Sequence, residues 1–384
     1  MWLLSTKHAE LHCFSSPDNV PGGYAILSHV WGDNEQTFED VQALRRRPSR
    51  SDHRKDTSTR SISQPSSPDN VRVRRAILPN LNLWRDDEHF DYQAHSTARS
   101  TSQPSPRNPR DLMSEKIRRS CELAERHGYE WLWVDTCCIN KSSSAELSEA
   151  INSMFQYYSE ARICYAYLQD VGSNFDERAS ERQFRRSTWH TRGWTLQELI
   201  APRIVLFVSR TWEIICSKAD RAELLETITH VPAAILRFEE PLPKFSVAQR
   251  MAWAASRRTS RAEDEAYCLL GIFDINMPTI YGEGKKAFRR LQEEIMKQSP
   301  DTTLFAWGAR CEYSQLFLLS SKCDSYLFAV SPSDFARCAN IVYTPPSHAT
   351  RRPRGLVSDI KSSFTLSSLI ILSGLVQVPI IPSK

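Results

Sequence analysis

Short runs of consecutive apolar residues alternate along the chain with longer segments whose apolar positions recur every three or four residues. YAILS (residues 24–28), WLWVD (131–135), RICYAYL (162–168) and RIVLFVS (203–209) are of the first kind and predict buried strands. Residues 112–127 predict a helix with Met113, Ile117, Cys121 and Ala124 on one face, stopped by Gly128. Ser143 and Glu146 stand at capping-box spacing ahead of Leu147, Ala150, Ile151, Met154, Phe155 and Tyr158, which predicts a second helix. RGWTLQELIAP (192–202) predicts a third, closed by Pro202.

Strands that are apolar throughout, alternating with helices, indicate an α/β fold with a doubly wound parallel sheet covered on both faces. A ligand site in such a sheet lies beyond the carboxyl ends of the strands, where strand order reverses. After about residue 210 the pattern turns mainly helical, with helices expected over 247–256, 263–273 and 283–298. The expected organisation is an α/β part over 1–41 and 111–215, an insertion over 42–110, a helical part over 216–310 and a poorly defined C-terminal extension over 311–384.

Composition changes this picture in the insertion. It is rich in Ser, Pro and Arg, repeats itself (RSISQPSSP from Arg60, RSTSQPSP from Arg99), and carries a local charge of +7 against +4 for the whole chain. Such a segment buries too little apolar surface to offset the ordering of its backbone and is expected to be disordered. It has no recognisable reading helix, so nucleic-acid binding is not expected.

The start, MWLLSTKHAELHCF, lacks the apolar middle region of a secretory signal, and the longest apolar stretch, 366–381, is broken by Ser, Gly, Gln and Pro. A cytoplasmic protein without a membrane span is expected. The ten Cys include no C-x-x-C pair, HAELH lacks the H-E-x-x-H order of a zinc helix, and no G-x-x-x-x-G-K-[ST] loop occurs. No metal site and no bound cofactor are expected. The adjacent Cys137 and Cys138 are read as packing residues, and YGEGKKAF (281–288) as a loop-to-helix junction in preference to a phosphate site.

Four stretches together carry a family resemblance: YAILSHVWGD (24–33), WLWVDTCCINKSSSAELSEAINSMFQYYSEARICYAYLQDV (131–171), RGWTLQELIAP, and SVAQRMAWAASRRTSRAEDEAYCLLGIFDINMPTIYGEGKKAFRRLQEEI (246–295). They resemble the fungal heterokaryon incompatibility (HET) domain. The resemblance implies an effector of non-self recognition that triggers programmed cell death after incompatible fusion, a form of fungal innate immunity. It implies self-association or a sensor protein as partner.

The order of strands and helices, with the Tyr-to-Ser-His strand at the front, is also distantly similar to Toll/interleukin-1 receptor (TIR) domains, which implies a flavodoxin-like sheet. Many of those domains carry a W-C-x-x-E-L helix whose glutamate cleaves NAD. By that correspondence Trp194 stands for the motif Trp and Glu198 for the catalytic Glu, while Thr195 replaces the usual Cys. A carboxylate against the ribose stabilises the positive charge that builds there as nicotinamide departs, so Glu198 is the candidate catalytic residue of an NAD nucleosidase.

Ser28, His29, Trp31, Asp33, Asp135, Arg192 and Trp194 are the candidate substrate-binding residues, with NAD as candidate substrate and not as cofactor. Plainer roles stay open: Glu198 as an ion-pair partner of Arg192 or Arg203, His29 as a satisfied structural histidine, Asp135 as a cap, and Trp31 and Asp33 as shapers of their turn. The alternative function is a non-catalytic TIR-like signalling scaffold acting by self-assembly.

Overall fold

A computed structural model describes residues 1–32, 34–45, 108–172, 177–308 and 327–345. Its strands are β1 (Trp2–Ser5), β2 (Leu11–Cys13), β3 (Ala25–His29), β4 (Trp131–Val134), β5 (Ile163–Tyr167), β6 (Val205–Val208) and β7 (Ile214–Ser217). They form one sheet in the order β2-β1-β4-β3-β5-β6-β7.

The sheet is mixed. β4, β3, β5 and β6 form a parallel core, and β1, β2 and β7 add to it antiparallel. The wholly parallel expectation is corrected at the edges, because the connections from β1 to β2 and from β6 to β7 are too short for a parallel crossover. Every residue of β3 is buried, which explains its unbroken apolar run. Edge strand β7 is partly exposed throughout.

The helices are α1 (Phe38–Arg45), α2 (Glu115–Arg126), α3 (Ser144–Glu160), α4 (Glu177–Arg186), α5 (Thr195–Ile200), α6 (Ala222–Thr229), α7 (Ala233–Leu236), α8 (Val247–Ala254), α9 (Asp264–Tyr267), α10 (Leu270–Phe273) and α11 (Lys286–Gln298). Helix α2 buries Ile117, Cys121 and Ala124 and ends at Gly128, whose φ of +82° suits glycine. Helix α3 starts as its sequence predicts, with Ser143 Oγ accepting from the Glu146 amide at 3.3 Å. The Glu146 carboxylate does not close the box; it accepts from Trp2 Nε1 (3.2 Å) and Asn140 Nδ2 (3.1 Å), so it ties the first strand to this helix.

Helix α1 runs to Arg45, beyond residue 42 where the insertion was expected to begin. Residues 46–107, including the Ser-Pro repeats, lie outside the described residues. The helix expected over 263–273 is two short helices, because the chain turns at Leu269 (φ −105°, ψ −9°) between α9 and α10. That turn sets Gly271 against α3, where an added Cβ would overlap the Phe155 side chain. Among the described residues no helix is long and apolar enough to cross a membrane.

Candidate functional site

Glu198 lies on α5, a helix all six of whose residues are buried; the glutamate itself is 6% exposed. Short apolar neighbours on each side of the glutamate, Leu196, Leu199 and Ile200, draw the helix into the core and take the carboxylate with them. There it meets the carboxyl end of β3. The Ser28 hydroxyl donates to Glu198 Oε2, and Trp189 Nε1 donates to Ser28 Oγ at 2.7 Å. Tyr158 of α3 is fully buried beside them, its hydroxyl donating to the Leu27 carbonyl at 3.2 Å.

Burial pushes the Glu198 carboxyl up to about 8, and the nearby Asp135 charge adds to the rise. The Ser28 hydrogen bond, the adjacent Tyr158 hydroxyl and the charge of Arg257 act against it. A carboxyl in this setting is largely protonated at neutral pH, and small changes in its surroundings decide its charge.

Residues at the carboxyl ends of β3 and β4 form a second, more open group. The His29 ring is buried between Glu35 Oε2 (3.6 Å from Nε2) and Asp135 Oδ1 (3.7 Å from Nδ1), both too far for hydrogen bonds. Asp135 Oδ2 accepts from Trp31 Nε1 at 2.6 Å. Trp31 is 47% exposed, with Lys141 Nζ 3.8 Å from its ring centre. Burial opposes the ionisation of Glu35, yet the facing His29 ring and hydrogen bonds from the Gly32 amide and Lys116 hold its carboxyl down at about 2.

The structure thus brings Ser28, His29, Trp31, Asp135 and Glu198 to one end of the parallel core. It does not bring Arg192 and Trp194 there. Arg192 Nη1 donates to Ser260 Oγ at 3.1 Å, and Trp194 hydrogen-bonds Asp264, so both side chains reach the helical part. Asp33 lies outside the described residues. Neither Arg192 nor Arg203 pairs with Glu198, whose recorded side-chain partners are hydroxyls. The Asp135 cap is likewise not formed to a backbone amide; its contacts are Trp31 and His29.

Several residues of the site carry no motif signal. Tyr158 reads from sequence only as an apolar helix position. Trp189 falls in a polar loop that forms a 3-10 turn (Thr188–Thr191), started by the Ser187 hydroxyl accepting from the Trp189 amide at 3.3 Å. Glu35, Lys141 and Arg257 reach the site from loops or from the helical part, where spacing is blind to them. Lys218, just after β7, is 1% exposed and donates to the carbonyls of Leu199 (3.1 Å) and Pro202 (2.5 Å) at the end of α5; burial pushes it down to about 7.

With this geometry in place, the comparisons with known proteins become informative. Residues 24–181 match the heterokaryon incompatibility protein (HET) family, and residues 286–368 match a domain of unknown function, DUF8212. A 219-residue stretch is 45% identical to vegetative incompatibility protein HET-E-1 of Podospora anserina. The chain carries a heterokaryon incompatibility domain. The aligned stretch is 55% of this chain and 15% of the relative, so the chain spans only a small part of that protein. No solved structure matches.

The match to the HET family covers Ser28, His29, Trp31, Asp135 and Tyr158 and ends before Trp189 and Glu198. The matched residues therefore include the strand ends and not the carboxylate. Other motifs resolve into packing. Cys138 Sγ accepts from the Val134 amide at 3.4 Å, and the Cys137 thiol is pushed up by its contact with Cys138 and by burial, which leaves Cys137 a poor nucleophile. The amides of Gly282 and Gly284 donate to Glu263 Oε1 at 2.8 and 2.9 Å, so the YGEG loop already holds an anion of the chain's own. Among the described residues no group of three or more His, Cys, Asp or Glu is placed to hold a metal.

Proposed function

We propose that this chain is an effector of vegetative incompatibility that triggers cell death by cleaving NAD at the nicotinamide–ribose bond, with Glu198 as the catalytic carboxylate. The incompatibility role draws on the 45% identity to HET-E-1 and on the HET match. The TIR-like assignment draws on the parallel core, whose order β4-β3-β5-β6 reverses at β3, as it does in flavodoxin-like sheets. The observation that carries the catalytic reading is the Ser28–Glu198 contact: it places a carboxylate without an ion-pair partner at the carboxyl end of the central strand.

In this reading Glu198 faces the ribose, holds its hydroxyls and stabilises the oxocarbenium-like charge as nicotinamide leaves; water then captures the ribosyl cation. The cationic nicotinamide ring of the arriving substrate favours the ionised carboxylate and offsets the burial that keeps it neutral. Trp31 and Asp135 are then the residues that contact the substrate. Because Glu198 is 6% exposed, cleavage requires that α5 or its cover shift, and self-association or a sensor protein in the cytoplasm would supply that shift.

The same burial favours the second reading, a non-catalytic scaffold in which Ser28, Trp189 and Glu198 hold the fold and signalling follows from self-assembly. Purified protein incubated with NAD over rising protein concentration separates the two. Release of nicotinamide by the wild type, absent in folded Glu198→Gln, supports the enzyme. No release from assembled wild type overturns it and leaves the scaffold.

A further inference from the structure

Helix α5 is only six residues long, too short to hold its own geometry in water, so its position comes from what grips its ends. The grip on its first turn comes from the helical part. Arg257 Nη1 donates to the Arg192 carbonyl at 2.9 Å and to Thr195 Oγ1 at 3.0 Å. The same loop adds two backbone bonds, from the Gly193 amide to the Arg258 carbonyl (2.8 Å) and from the Arg258 amide to the Thr191 carbonyl (2.7 Å). Gly193 allows this approach: a Cβ there would lie 2.5 Å from Thr259 Cγ2.

We propose that Arg257 is a positioning residue for Glu198: its guanidinium pins the turn that opens α5 and lends a buried positive charge to the Glu198 carboxylate. The assignment rests on the reading of Glu198 as the working carboxylate and extends it to a residue of the helical part. The connection runs through bonded groups. The Thr195 hydroxyl that Arg257 grips donates to the Trp189 carbonyl at 2.5 Å, and the Trp189 indole donates to Ser28, which donates to Glu198. Holding Arg257 in place therefore holds each later member of the chain.

Charge points the same way. The groups that act on Glu198 come from every element around it: Asp135 after β4, Tyr158 on α3, Cys164 on β5, Ser28 on β3 and Arg257. Of these named groups Arg257 carries the cation. Burial lowers the Arg257 guanidinium to about 10, with the Cys268 thiol and Glu198 working against the fall, so it stays charged at neutral pH. Its Nη2 is buried without a hydrogen-bond partner, which leaves its field little quenched by local bonds. His190, packed beside Trp189, is held neutral by burial and by the same guanidinium, and so adds no competing charge.

The test reads the protonation of Glu198 directly, without any turnover. Infrared spectra of the full chain are recorded against pH, and the protonated carboxyl band is assigned by its loss in Glu198→Gln. Arg257→Gln keeps amide donors but removes the charge, and its midpoint should rise by about one pH unit. Arg257→Lys keeps the charge and should keep the wild-type midpoint, though the lysine cannot reproduce the two-point grip. A folded Arg257→Gln protein with the wild-type midpoint overturns the assignment. So does a raised midpoint in Arg257→Lys, which decides the matter if the Gln variant does not fold. Should the midpoints move as stated while wild type releases no nicotinamide, the proposal for Arg257 stands and the NAD reading falls; nicotinamide release with unmoved midpoints gives the reverse.

Discussion

Ser28 and Glu198, 170 residues apart in the chain, meet in the core with the Ser28 hydroxyl shared between the Glu198 carboxyl and the Trp189 indole. The serine is the hinge of this group because it accepts from one neighbour and donates to the other. Replacing it by alanine strands a buried indole N–H and a buried carboxyl oxygen together. Ser28→Ala should cost about 1–3 kcal/mol of stability. Urea unfolding at pH 6 measures it, and a loss within error of zero would show that the contact carries no stabilising role.

Stability should depend on pH through Glu198. Its folded-state value of about 8 lies above the ordinary 4.5, so the folded protein binds the proton more tightly than the unfolded chain. The contribution is complete below about pH 4.5 and is lost as the pH rises to about 8. Denaturation midpoints across that window should fall in the wild type and fall less steeply in Glu198→Gln. Equal slopes in the two proteins would contradict the raised value.

Lys218 works in the opposite direction. Burial lowers it from 10.5 to about 7, so the unfolded chain binds the proton more tightly and stability should rise with pH between those values. Lys218→Met should remove that rise, and it should also leave the Leu199 and Pro202 carbonyls without their donor, at a cost of about 1–3 kcal/mol near pH 7. Melting curves at pH 7 and at pH 9.5 for both proteins check the two effects separately.

The close approach of α10 to α3 gives a steric prediction. Gly271 has the Phe155 side chain where a Cβ would stand, at the root of the ring and not at a flexible tip. Gly271→Ala should destabilise the fold by about 1–3 kcal/mol or more through overpacking. Gly282→Ala meets nothing within 4 Å and is the control for alanine in a glycine position, although its φ of +103° adds backbone strain. Comparison of the two in thermal unfolding should place the larger loss at Gly271.

Trp31 separates binding from folding. It is half exposed, and Trp31→Ala should change stability by no more than about 0.5 kcal/mol. If the proposed NAD site is right, the substitution should raise KM for NAD well above the wild-type value. An unchanged KM would place the substrate elsewhere.

Much of this arrangement was legible in the chain. The four parallel strands and the helices α2, α3 and α11 announce themselves because burial on one or both faces leaves a period in the apolar positions. β1, β2 and β7 did not: they are three or four residues long, and the two that form the edges of the sheet, β2 and β7, carry a weak pattern. For the site, sequence marked Glu198, Ser28, His29, Trp31 and Asp135, residues inside continuous motifs at strand ends or on a helix. It set Arg192 and Trp194 beside them through the RGWTLQELIAP motif, yet those side chains reach the helical part, where they bond Ser260 and Asp264. Trp189, Arg257 and Lys218 were silent, because what defines them is a partner on a distant element.

The two basic side chains that grip α5, Arg257 at its start and Lys218 at its end, belong to different parts of the chain, and neither touches the other's bonds. Loosening one leaves the helix still tethered at the far end. The outward shift of α5 that the proposed NAD cleavage requires therefore needs both tethers to yield. Under the proposed function this gives a useful arithmetic: two improbable openings multiply, and the silent state is quiet by the product.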